Sequence, residues 1–101
     1  MKIVWTKSAL QSWQEIAQYI NDTFGSKALI DFQKKTTEWE NIILTMPLIG
    51  HAEPLLEGMD ETYRSIVVHK HSKLIYSVDN GLIKIHAFWD TRQEPKQPIE
   101  P

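Results

Sequence analysis

Four cations, Arg64, Lys73, Lys84 and Arg92, fall in one stretch of the chain with Tyr76 and His86 among them. Such a set suits phosphate binding. It also suits stabilising the pentacoordinate phosphorane formed when RNA is cut without a metal. In that reaction the attacking 2′-OH needs a base and the leaving oxygen an acid, and His86 is the imidazole at hand. Arg64, Lys73, His86 and Arg92 are therefore the candidate catalytic residues. The competing reading is an ordinary solvated sheet face with lysines scattered on it, and composition alone favours that one.

Other chemistry is thinly represented. No Gly-rich phosphate loop, zinc spacing or nucleophile motif is present. With no cysteine there is no thiolate ligand and no disulfide framework. His69 and His71 stand two apart, a spacing that shares one strand face, but they lie at a turn with no carboxylate placed beside them. No metal or cofactor is expected. Asp79 and Asp90 read as turn residues rather than an acid pair. Arg92 could also serve as a plain surface partner for Asp90 or Glu94.

The elements that must position these residues are legible in outline. Tyr63–Val68, Lys73–Asp79 and Leu82–Trp89 read as three consecutive antiparallel strands. Asn80-Gly81 between the last two is a type I′ hairpin signal, because that turn needs φ > 0 at both central residues. Alternation puts Leu74, Tyr76, Val78, Ile83, Ile85, Ala87 and Trp89 on one face, expected beneath helices. Lys73, Lys84 and His86 are then expected on an open face. Arg64 shares parity with Ile66 and Val68, which requires either a bulge or a side chain reaching out from the strand's start.

Before the sheet, Lys2–Trp5 predicts an edge strand. Thr6 offers a helix cap, and Ala9, Leu10, Trp13, Ile16, Ala17 and Ile20 recur on one helical face as far as Thr23. Gly25 can take the left-handed conformation beyond that helix. A second helix is expected from Ser26 to Met46, with Leu29, Phe32, Thr36, Trp39, Ile43 and Met46 on its stripe, and Pro47 stops it. So short a junction requires a helical hairpin. Pro47–Thr62 reads as a long loop packed across an edge, with His51 and Glu53 exposed. The expected fold is α+β: β-α-α-β-β-β, an N-terminal helical hairpin on one face of a small, mainly antiparallel sheet. Residues 1–96 form one domain, and 97–101 form a Pro-rich tail.

The charge is uneven. Residues 1–62 carry five Lys/Arg and nine Asp/Glu, and residues 63–96 carry six and three. The sheet half is thus basic, yet the whole chain sums to −2, no polycation. Met1–Thr6 lacks the apolar core of a signal peptide, and no apolar run reaches bilayer length. A cytoplasmic protein without a membrane partner is expected.

The ordered spacing Tyr63-Arg64, Lys73–Tyr76, Ile83–His86 and Arg92 resembles the RelE/ParE superfamily of bacterial toxins. Trp5 with Ala9 and Leu10, the Pro47–Gly50 segment and Phe88–Pro95 carry the likeness across nearly the whole chain. The last of these looks like the strand end and arginine of members described as plasmid-stabilisation proteins. The resemblance implies a growth-inhibiting toxin held inactive by a cognate antitoxin. It allows a homodimer and two activities on one fold. RelE-like members cut mRNA on the ribosome without metal; ParE-like members poison DNA gyrase and are not enzymes. Lys73 matches a position where RelE-like nucleases carry an arginine. Arg92 and Arg64 match basic positions after the last strand and at the start of the first hairpin strand. Ile66 departs from the pattern, standing where a second basic residue is usual. Residues 93–101 hold no Tyr or His to act as the usual C-terminal acid or base. The net negative charge also fits a ribosomal polyanion poorly. These departures favour gyrase over the ribosome and mRNA, with a non-toxic family member as the third reading.

Overall fold

The computed structural model describes residues 1–70 and 72–92. Its elements run β1 (Lys2–Trp5), α1 (Lys7–Phe24), α2 (Ser26–Thr45), β2 (His51–Ala52), a 3₁₀ turn (Pro54–Leu56), β3 (Arg64–His69), β4 (Ser72–Asp79) and β5 (Leu82–Asp90). One mixed sheet has the order β1-β5-β4-β3-β2. β1 is parallel to β5 and all other pairs are antiparallel. The helical hairpin covers one face, the α+β arrangement that the sequence predicts.

The helix boundaries follow from local chemistry. Thr6 Oγ1 accepts the Ala9 N–H at 3.0 Å, capping α1. Gly25, at φ 94°, ends α1 and starts α2 within one residue, so the two helices fold back on each other. The Asn80-Gly81 turn has φ 48° and 79°, as a type I′ hairpin demands. Phe32, Ile43, Leu74, Tyr76, Ile83 and Ile85 are fully buried between helices and sheet. Trp13 stacks on Phe32 with centroids 5.2 Å apart and donates its Nε1–H to Thr36 Oγ1 at 2.9 Å. Thr36 thus fills the polar step of the α2 stripe with a satisfied hydrogen bond. Leu10 and Met46, expected on the buried stripes, are half exposed at the ends of their helices' apolar faces.

Two expectations need correction. β5 carries a bulge: Ile75 faces Ala87 while Tyr76 faces Ile85, leaving His86 as the extra residue. The extra residue inverts the parity of everything after it. Phe88 therefore joins the helix-covered core, and Ala87 and Trp89 turn to the second face, against the simple alternation. α1 holds the bulged strand, because Thr6 Oγ1 donates to His86 O and Phe88 N–H donates to Ser12 Oγ.

The second correction is that the other face is not open. The Pro47–Thr62 segment contains β2 and the 3₁₀ turn. Its Glu53–Tyr63 part folds over the second face, where Leu56, Tyr63, Ile75, Ala87 and Trp89 make a small satellite cluster. The stretch 93–101, where an irregular tail is expected, lies outside the described residues, as does His71.

Candidate functional site

Arg64, Lys73 and Arg92 each have partners inside the chain. Lys73 stands on the second face of β4 and donates to both oxygens of Glu53, with Nζ 3.0 Å from Oε2. Glu53 was expected in solvent; it is only 2 % exposed, because Lys73 and Ser65 Oγ hold its carboxylate against the sheet. A buried carboxylate requires such compensation. Lys73 Nζ also lies 5.4 Å from the centroid of the Trp89 ring, a cation–π contact. His51, by contrast, is exposed as expected.

His86, the bulge residue, lies on that same face. Its Nε2 shares a 2.8 Å hydrogen bond with Ser77 Oγ, and both side chains are buried. Tyr63 packs edge-on against the ring at 4.9 Å. Burial pushes the imidazole pKa below its usual value; nearby Glu61 works against that shift and Lys84 adds to it. The neutral form is therefore the folded form. In the unfolded chain His86 binds a proton below about pH 6.5, while in the folded chain it resists until lower pH. Stability attributable to His86 is accordingly complete above pH 6.5 and is lost as pH falls below that value. His86→Gln is expected to flatten the dependence of melting temperature on pH between 7.5 and 5.5. An unchanged slope in the variant would contradict the buried neutral imidazole.

Arg64 reaches out from the start of β3, the second of the two alternatives that its parity allows. It pairs in register with Tyr76 and so points to the helix-covered face. Its Nη1 donates to Gly50 O at 2.9 Å and approaches Leu48 O at 3.5 Å. The Tyr76 hydroxyl completes the clamp, donating to Pro47 O at 2.7 Å and accepting the Gly50 N–H at 2.9 Å. Burial raises the Tyr76 pKa, with the Gly50 N–H and Arg64 working against the shift, so the phenol stays protonated and able to donate.

Arg92 is exposed past the end of β5. It forms a fork with Asp90, Nη2 to Oδ2 at 2.9 Å and Nε to Oδ1 at 3.1 Å. Nη1 donates to Tyr19 Oη at 3.2 Å, and the guanidinium lies 5.1 Å from that ring's centroid. These partners, Asp90 first, push an already high pKa further up, and the group is charged at any working pH.

The four residues thus divide. Lys73 and His86 share the second face beneath Glu53–Tyr63. Arg64 lies on the helix-covered face at the Pro47–Gly50 loop, and Arg92 lies at the sheet's end against α1. Two residues that set this arrangement escape sequence reasoning, Ser77 and Tyr19, while Glu53 is noticed there but read as exposed. Of the two, only Ser77 leaves a trace, sharing strand parity with Lys73. Of the two histidines weighed for a metal, His69 faces Asp31 Oδ2 at 3.4 Å and packs edge-on to Phe32. No group of three or more His, Asp or Glu side chains gathers for a metal among the described residues. No helix among them is long and apolar enough to cross a membrane.

Comparison with known proteins assigns the arrangement to a family. The structure resembles a solved structure titled "Chromosomal ParDE TA system from P. aeruginosa", with TM-score 0.70 and 14 % identity over 89 % of this chain and 95 % of that one. At that identity the likeness speaks for the fold. A search of curated proteins returns no match. A family model described as "ParE toxin of type II toxin-antitoxin system, parDE" matches residues 3–95. This chain therefore belongs to the ParE toxin family of type II toxin-antitoxin systems.

Proposed function

We propose that the chain is a toxin neutralised by a cognate antitoxin and that it poisons DNA gyrase rather than cutting RNA. The observation that supports this reading is the dispersal of its cations. A metal-free ribonuclease needs its cations and its acid or base within reach of one phosphate. Here Arg64 and Lys73 are on opposite faces, Lys73 is neutralised by Glu53, and His86 is buried against Ser77 and Tyr63. The alternative, a ribosome-dependent endoribonuclease using Arg64, Lys73, His86 and Arg92, would require these groups to regroup around a substrate. Exposed apolar side chains on the hairpin and just after α2, among them Ile30, Leu44, Met46 and Leu48, offer an apolar antitoxin segment something to cover.

Arg92 is the exposed cation suited to an acidic partner side chain, because its planar fork makes two parallel hydrogen bonds to a carboxylate. Expression of the chain alone is expected to arrest bacterial growth. Arg92→Ala is expected to abolish that arrest with the melting temperature nearly unchanged, since the side chain is exposed. Arg92→Lys restores the charge without the fork and should recover only part of the toxicity. A large loss of thermal stability in Arg92→Ala, or full toxicity in the folded variant, would make Arg92 a structural residue.

A further inference from the structure

We infer that Glu53–Tyr63 is an autoinhibitory strap, which holds shut a face otherwise fitted to bind a single strand of nucleic acid. The strap and the surface beneath it have opposite charge. Residues 53–61 hold four carboxylates, Glu53, Glu57, Asp60 and Glu61, and no Lys or Arg. Beneath them lies Lys73, and Lys84 of β5, paired in register with Ser77, stands on the same face. Glu53 stands where an outside anion would stand, its two oxygens taking the Lys73 ammonium and the Ser65 hydroxyl.

The covered surface also holds an aromatic ring. Trp89, on β5, lies beneath Lys73 and is buried in the satellite cluster, where the strap's own Tyr63 packs against His86. Cations that track phosphates beside rings on which bases stack are what single-strand binding requires. In the closed form Lys73 is bound to a carboxylate and the Trp89 ring is covered.

The strap is built to lift as a unit. Its neck is closed by Glu53 N–H donating to Tyr63 O at 2.8 Å, just outside the Ala52–Arg64 sheet pair. Between these ends the Leu56, Glu57 and Met59 N–H groups donate to carbonyls within the strap itself. Gly58, at φ 83°, turns its tip, and Leu55 and Met59 face solvent. Only Glu53, Leu56 and Tyr63 are buried against the sheet. Lifting the tip therefore breaks no β-ladder and leaves the main core under the helices intact. A buried ion pair is weak evidence for stability, so the Glu53–Lys73 pair reads better as a latch than as a support.

The test uses the purified full chain and labelled twelve-nucleotide RNA and DNA strands in fluorescence anisotropy at low salt. It involves no gyrase, so its failure would not touch the reading above. A face exposed only in a minor open state binds with an affinity reduced by the open fraction. Glu53→Gln removes the latch charge and keeps its shape. Leu56→Ser removes the apolar anchor without touching Lys73 or Glu53. Each is expected to tighten strand binding at least about tenfold over the natural sequence, with faster amide exchange over 54–62 and a protected β4–β5 core. RNA and DNA arms that tighten alike would mark backbone and stacking recognition, whereas tightening for RNA alone would add a 2′-OH contact; both support the strap. Adding Lys73→Gln to either variant is expected to cancel the gain. Folded variants with a faster-exchanging strap and no tighter binding would overturn the proposal. A gain that survives Lys73→Gln would overturn it as well. If both single variants unfold, the segment belongs to the folding core and is not a strap.

Discussion

Phe32→Ala is expected to cost about 3–5 kcal/mol, the range for emptying a fully buried aromatic site. Phe32 is the ring on which both helices and the sheet meet. It is completely buried, stacks on Trp13 of α1 at 5.2 Å and packs edge-on to His69 of β3 at 5.6 Å. Its carbonyl also accepts the Thr36 hydroxyl, which in turn accepts the Trp13 indole N–H. Truncation removes the ring face on which Trp13 is aligned, so the polar link loses its geometry together with the packing. For a domain of this size each kcal/mol moves the melting temperature by roughly 4–8 °C, so the variant should unfold well below the natural protein. Phe32→Leu retains much of the volume and should fall in between. Thermal unfolding followed by tryptophan fluorescence measures both. A Phe32→Ala protein melting within a few degrees of the natural one would contradict the packing of the hairpin on the sheet.

Tyr76→Phe is expected to destabilise the protein by about 2 kcal/mol, although it deletes a single oxygen. That oxygen donates to Pro47 O and accepts from Gly50 N–H, and both groups lose their partner when it goes. Gly50→Ala attacks the same junction from the other side. A Cβ there would lie 2.8 Å from Tyr76 Cε1, 2.9 Å from its hydroxyl and 3.1 Å from Ser65 O. The Tyr76 ring is fully buried and cannot yield, so overpacking of about 1–3 kcal/mol is expected. Because Gly50 O also anchors Arg64, both variants should release the Arg64 side chain. The two substitutions share one contact and should be less than additive when combined. Additive losses, or a Tyr76→Phe protein as stable as the natural one, would remove the hydroxyl from its bridging role.

How far the sequence reaches can be judged residue by residue. Thr6, Gly25, Pro47 and Asn80-Gly81 act through local backbone chemistry, and the elements they bound appear where that chemistry places them. The parity of β5 is different. Phe88 and Trp89 are adjacent aromatics, so alternation accepts either one as the core residue, and a bulge at His86 chooses Phe88. Periodicity alone has no means of detecting one inserted residue. The burial of Glu53 is equally illegible, since it depends on a lysine twenty positions away on another strand. Arg92 divides between the two cases. Its pairing with Asp90 is local and expected, whereas its contact with Tyr19 spans 73 positions.

The central claim is the target, and nucleic acids from arrested cells test it most directly. Cells expressing the chain alone are sampled within minutes for DNA breaks covalently linked to gyrase and for newly cut mRNA. A gyrase-poisoning ParE-family toxin predicts accumulating gyrase-linked breaks with messages intact. Messages cut at codon positions, unaffected by EDTA in ribosome assays and without gyrase-linked breaks, would contradict the claim and make the chain a metal-independent endoribonuclease.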